Sequence, residues 1–170
     1  MTDNQQERSE ITGWICGFVD GEGCFSVSMI RNKTTKSGWQ VFPEFVVTQG
    51  AKSRPALELL QKFFECGSIY ANVRYDNHNE MLLRYCVRSR KDLIERVTPF
   101  FQKNSLRTAK QSDFRHFVRI VQLMDKGVHK TESGLHRIAQ TIQKMNRKVP
   151  SRFLKSSETT RQNSVQPSKI

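Results

Sequence analysis

The chain has 170 residues, 28 of them Lys or Arg and 16 Asp or Glu, for a net charge of +12 at neutral pH. That length suits one domain around one core, and the charge points to a polyanionic partner, nucleic acid before an anionic membrane surface. No apolar run approaches the roughly 20 residues of a membrane span, and the first ten residues lack the hydrophobic stretch of a secretion signal. Cys16, Cys24, Cys66 and Cys86 are scattered and form no CxxC pair, so they read as free thiols in a reducing compartment rather than as a zinc site or a disulfide frame.

Residues 1–9 are polar and read as a flexible N-terminus. From Glu10 onward, Ile11, Trp14, Ile15, Phe18 and Val19 recur at helical spacing, and the glycines of GEG (21–23) end that helix. Along CFSVSMIRNK, Phe25, Val27 and Met29 alternate with Ser26, Ser28 and Ile30, the pattern of a strand with one apolar face. TTKSG (34–38) turns the chain, and WQVFPEFVVTQ returns as a second strand. Ser53 is placed to cap a second helix whose apolar positions are Leu57, Leu60, Phe63 and Phe64. GSIYANVRYD and MLLRYCVRS read as two more strands around the turn NHNE (77–80). Three helices follow: one with Leu93, Ile94 and Val97 inside, one with Phe114, Phe117, Val118, Val121 and Met124, and one opened by Thr131. The basic, Ser/Thr/Gln-rich tail (155–170) reads as disordered.

This order predicts an α+β fold, αββαββα with extra C-terminal helices, in one domain spanning residues 10–154. Its four strands form an antiparallel sheet with helices on one face. Alternation assigns Ser26, Ser28, Ile30, Asn32, Gln40, Glu44, Val46, Thr48, Ser68, Tyr70, Asn72, Arg74, Arg84 and Arg88 to the outer face. Gln, Asn, Ser and Arg suit base edges, and Arg31, Lys33 and Lys36 at the first hairpin tip suit phosphates. Glu44 runs against that trend; it would accept from a cytosine amine or face a lysine. A ten-residue strand spans about 33 Å, close to one duplex turn of about 34 Å. Gly13, Gly17 and Gly21 recur every four residues and line one stripe of the first helix. A stripe without side chains lets another helix come very close. If that helix belongs to a second copy of the chain, a two-fold axis relates them in a homodimer.

The stretch WICGFVDGEG (14–23), followed by a serine-bearing strand, resembles the LAGLIDADG motif of homing endonucleases, with Ile15 at its first leucine. FVVTQ (45–49), PFFQKNSLRTAKQSDF (99–114) and QKMNRK (143–148) are similar to later segments of that family, so the likeness covers roughly residues 10–150. The resemblance implies that Glu22 binds the catalytic divalent cation, Mg²⁺, with the Gly21 carbonyl as a second ligand. Oxygen donors of this kind suit Mg²⁺. It implies that Asp20 shapes the helix end and that Gln49 orients the water network. The resemblance also implies a basic residue before the late helix that stabilises charge near the scissile phosphate, for which Lys110 is the candidate with Arg107 close behind. The cation then serves to activate water for in-line attack and to steady the leaving 3′ oxygen. The implied function is an intron-encoded, site-specific double-strand DNA endonuclease cutting a long pseudo-palindromic site. A lone motif in the chain implies a homodimer, acting where its host intron resides, in a bacterial or archaeal cytoplasm or an organelle. Relatives of the same fold also act as intron RNA-binding maturases or as DNA-binding proteins that do not cut.

Overall fold

The computed structural model describes residues 3–72, 81–145 and 153–154. Period-two alternation along four strands builds the layer that positions everything else. These strands are β1 (Gly23–Arg31), β2 (Trp39–Gly50), β3 (Ser68–Asn72) and β4 (Leu82–Val87). They form one antiparallel sheet in the order β1-β2-β4-β3. The β1–β2 ladder runs from Gly23 opposite Val47 to Arg31 opposite Trp39. Its tip closes where the Asn32 N–H donates to the Gly38 carbonyl at 2.9 Å.

The inner face carries Phe25, Val27, Val41, Phe45, Val47, Leu83, Tyr85 and Val87, all buried in one continuous core, with Ile69 half-buried at its edge. Helices cover that face: α2 (Arg54–Phe64), α3 (Arg90–Asp92), α4 (Thr98–Lys103), α5 (Lys110–Asp125) and α6 (Glu132–Gln143). A π-helical segment, Leu93–Val97, joins α3 to α4. Aromatic rings lock the layers together. Phe25 stacks on Phe45 at 5.0 Å and meets Phe101, Phe114 and Phe117 at 5.4, 4.9 and 5.3 Å. Phe153 sits edge-on against Trp39 at 5.3 Å and pins the far end of the hairpin. Thr131 caps α6, its hydroxyl accepting from the Gly134 N–H at 3.1 Å.

Several expectations are corrected. The first helix, α1, is Asp3–Glu22, so residues 3–9 are helical rather than loose. Gln, Glu and Arg in this stretch favour the helix, and residues 5–10 are exposed on every side, which leaves no apolar period to read. Gly21 does not end α1; the helix runs through it to Glu22 and the chain turns into β1 at Gly23. Ser53 stands at the N-cap position of α2 without a side-chain cap bond, because it closes a 3₁₀ turn, Ala51–Ser53. Phe63 is exposed on α2 and packs edge-on against Phe64 and Phe100. The NHNE turn, Arg74, the end of the QKMNRK segment and the tail 155–170 lie outside the described residues.

Candidate active site and nucleic-acid interface

A helix ends with carbonyls that need partners and with partial negative charge. At the end of α1 the partner is Lys110, the first residue of α5. Its Nζ donates to the Val19 carbonyl at 3.0 Å and to the Gly21 carbonyl at 3.1 Å. The two acids beside it are treated differently. The Asp20 carboxylate accepts from the Arg107 N–H at 2.7 Å, the Thr108 N–H at 3.2 Å and the Thr108 hydroxyl at 2.7 Å. It thereby ties α1 to the loop before α5, some 87 residues away in sequence. Burial pushes the Asp20 carboxyl upward, but these donors and the nearby Lys110 outweigh it and hold the group below its ordinary value. Glu22, two residues on, is exposed and takes no hydrogen bond or ion pair among the described residues.

The β1–β2 ladder ends at the Gly23–Val47 pair, so Thr48 and half-buried Gln49 run past the end of α1. Of the four residues expected to act in catalysis, Lys110 and Glu22 share one helix end, and Gln49 stands two residues beyond Val47, the partner of Gly23. Arg107 gives its backbone to Asp20 and lines a groove with Gly13, Cys16 and Gly17 on the outward side of α1. The oxygens at this end fit a hard divalent cation. Glu22 offers an unengaged carboxylate, and the Gly21 carbonyl keeps a second lone pair beyond the one Lys110 uses. Among the described residues no three His, Cys, Asp or Glu side chains cluster as a metal cage. One chain thus offers two such oxygen donors at this end.

The two sides of α1 differ sharply. Ile15 and Val19 are fully buried against the sheet. Gly13, Gly17 and Gly21 are exposed, and a Cβ built on any of them would meet nothing within 4 Å. Trp14 and Phe18 stack beside this stripe at 4.8 Å.

On the outer face of the sheet, Ser26, Ser28, Gln40, Thr48, Ser68 and Arg84 are half-exposed, and Ile30 and Tyr70 are exposed. Val46 is a correction. It lies on this face but is only 5 % exposed, set between Cys24 and Cys86 in the ladders, so it offers a base little surface. Asn72 ends β3, and its predicted companion Arg74 is outside the described residues. Asn32 and Gln40 engage each other, the Asn32 Nδ2 donating to the Gln40 Oε1 at 2.8 Å. The Asn32 Oδ1 accepts from the Thr34 N–H and hydroxyl at 3.0 and 2.7 Å, so this residue also shapes the hairpin tip. Lys33 and Lys36 are exposed there, and Arg31 lies over the Trp39 ring at 4.4 Å. Among the described residues Glu44 pairs with two arginines, Arg84 and Arg88, rather than with a lysine. Phe42, which the sequence reading passed over, lies on the same face beneath Arg88, where continuing the alternation Gln40, Phe42, Glu44 would have placed it.

A family model described as LAGLIDADG endonuclease matches residues 15–121. The probable intron-encoded endonuclease 2 of Neurospora crassa is 32% identical over 135 residues, 78% of this chain and 28% of that protein. The chain spans about a quarter to a third of the length of the first curated relatives it matches. Among solved structures, the homing endonuclease I-TnaI superposes with a TM-score of 0.78 at 38% identity, covering 87% of this chain and 96% of that one. I-SmaMI, bound to an uncleaved DNA target in the presence of calcium ions, gives a TM-score of 0.78 at 31% identity, covering 86% of this chain and 48% of that one.

Proposed function

The chain belongs to the LAGLIDADG endonuclease family, and on that premise we propose that it is a homing endonuclease that makes site-specific double-strand breaks in DNA. Two copies of the chain act together, meeting through the bare stripe of α1 and laying their sheets along a long, pseudo-palindromic site. The observation that carries this reading is the helix end itself. Asp20 is consumed in tying α1 to the rest of the protein, while Glu22 is left unengaged at an exposed position. A carboxylate with no structural duty, beside a carbonyl and a fixed ammonium, is suited to chemistry on a phosphate.

In this reading Glu22 and the Gly21 carbonyl hold a divalent cation, Mg²⁺. When bound, it supplies the charge neutralisation and water activation that phosphodiester hydrolysis needs. The chain's own groups do the rest. Lys110 is anchored on the Val19 and Gly21 carbonyls, so its ammonium adds positive charge at the helix end without having to be ordered on binding. Gln49, running past that end, offers an amide to orient solvent. Arg107, in the groove along the stripe, meets the second copy or a phosphate. The net charge of +12 draws the duplex in.

The test is selection of cleaved sequences from a randomised duplex library, with Mg²⁺ or with chelator. Wild type should yield double-strand breaks within one long motif, abolished by chelator and by Glu22→Gln. Tight binding of intron RNA without any break would replace the nuclease reading with that of a maturase.

A further inference from the structure

Glu44 is the one acid on the outer face of the sheet among the described residues, and both of its oxygens are taken. Oε1 accepts from the Arg84 Nη2 at 3.1 Å and Oε2 from the Arg88 Nε at 2.9 Å. The Glu44 side chain is 15 % exposed, against 30 % for Arg84 and 43 % for Arg88, so the carboxylate lies beneath the two guanidinium groups. Arg88 is held further by the Phe42 and Tyr70 rings, each with its centroid 5.6 Å away. The strand register explains the meeting. The β2–β4 ladder ends at Phe45 opposite Val87, which sets Arg88 next to Glu44, while Arg84 reaches along β4 from its place opposite Thr48.

Resting on the reading of this face as the DNA-binding surface, we infer that Glu44 is a positioning residue that locks Arg84 and Arg88 into a rigid pair selecting guanine in each half-site. A carboxylate exposed on this face would repel phosphates and could accept only from the exocyclic amine of a cytosine or an adenine. Covered and doubly paired, Glu44 does neither, and the trio keeps a net single positive charge. Arg88 spends its Nε on Glu44 and keeps both terminal nitrogens for O6 and N7 of a guanine. Arg84 spends one terminal nitrogen and keeps the other with its Nε. A guanidinium already fixed by a carboxylate and two rings loses less rotamer freedom on meeting a base. Because both head groups converge on one carboxylate, they address the same or adjacent base pairs.

The full chain is used to enrich bound sequences from a randomised duplex library, alongside Glu44→Gln, the double variant Arg84→Ala/Arg88→Ala, and the triple variant, with thermal melts confirming that each folds. Arg88→Lys, which keeps the charge and loses the fork, serves as the milder variant. Wild type should enrich guanine at one position or two adjacent positions per half-site. Glu44→Gln should reduce that preference roughly tenfold, within the range a bidentate arginine–guanine contact supports, and Arg88→Lys should reduce it too. The double variant should erase it, and adding Glu44→Gln to the double variant should change nothing further. Replacing those guanines by 7-deazaguanine should weaken wild-type binding and leave the double variant unaffected. If Glu44→Gln still alters base preference when both arginines are gone, Glu44 reads a base itself and the inference is overturned. If Glu44→Gln leaves the guanine preference intact, the ion pairs serve only the sheet, and it is likewise overturned. Failure of wild type to enrich any sequence would instead overturn the DNA-reading premise.

Discussion

Gly23, Gly67 and Gly134 stand where a methyl group has no room, whereas Gly13, Gly17 and Gly21 stand where it would touch nothing. A Cβ on Gly23 would lie 2.6 Å from the Val19 side chain, one on Gly67 2.7 Å from the Tyr85 ring, and one on Gly134 would collide with the Val128 carbonyl. On the α1 stripe, no atom comes within 4 Å of the same probe. A glycine inside a helix costs about 0.5–1 kcal/mol relative to alanine. Gly134, inside α6, offsets that by letting the Val128 carbonyl approach, and Gly23 and Gly67, outside any helix, do not incur it. The stripe glycines have no such return within one chain; the proposed second copy, coming as close as bare backbone allows, would supply it.

The contrast is open to attack from the interior side first. Gly67→Ala should cause the largest loss of stability. It places a side chain at φ 77° and against both Tyr85 and the Cys86 carbonyl. A left-handed residue costs about 1–2 kcal/mol and overpacking about 1–3 kcal/mol, so urea unfolding should show a loss of about 3 kcal/mol. A loss under about 1 kcal/mol would mean that the interior tolerates a methyl after all. Asp20→Asn comes next. Hydrogen bonds to a charged group contribute about 1.5–3 kcal/mol where fully sheltered, and at this half-exposed site about 1–2 kcal/mol is expected at neutral pH. The folded carboxyl titrates below its ordinary value, so its contribution is fully present above about pH 4 and is lost as pH falls through the folded value. Melts of wild type and Asp20→Asn should therefore converge in acid; a constant gap would remove the carboxylate's charge from the explanation. On the stripe the sign reverses. Gly17→Ala should stabilise the dilute protomer by about 0.5–1 kcal/mol, a rise of roughly 2–4 °C per kcal/mol for a chain of this size. Smallest of all, Glu22→Gln should leave stability within about 0.5 kcal/mol of wild type, since that side chain is exposed and unengaged.

Much of this arrangement is legible along the chain, and the illegible part has a common cause. Ile15 and Val19 announce the buried side of α1, and Phe25, Val27 and Phe45 the inner face of the sheet, because burial imposes a period of 3.6 or 2 on the sequence. Residues 5–9 escape notice because an exposed helix has no such period. Val46 shows the limit of alternation: it fixes the face but not how far the neighbouring strands shelter a central position. The contacts that define the candidate site join residues far apart, Asp20 with Thr108 and Glu44 with Arg84 and Arg88. No local pattern encodes such a pairing. Lys110 is an intermediate case. The family resemblance made it a candidate basic residue for the site, yet its anchoring on the Val19 and Gly21 carbonyls follows only from where α5 starts against α1.

The most direct test of the two-body account is sedimentation of Gly17→Leu beside wild type, each with a duplex carrying the full selected site, with cleavage scored on the same samples. Wild type should sediment as two chains on one duplex and cut both strands. Gly17→Leu should melt no lower than wild type in dilute solution, yet sediment as single chains and leave the duplex whole. If Gly17→Leu still assembles in pairs and still cuts, the bare stripe is not where the copies meet, and the account fails.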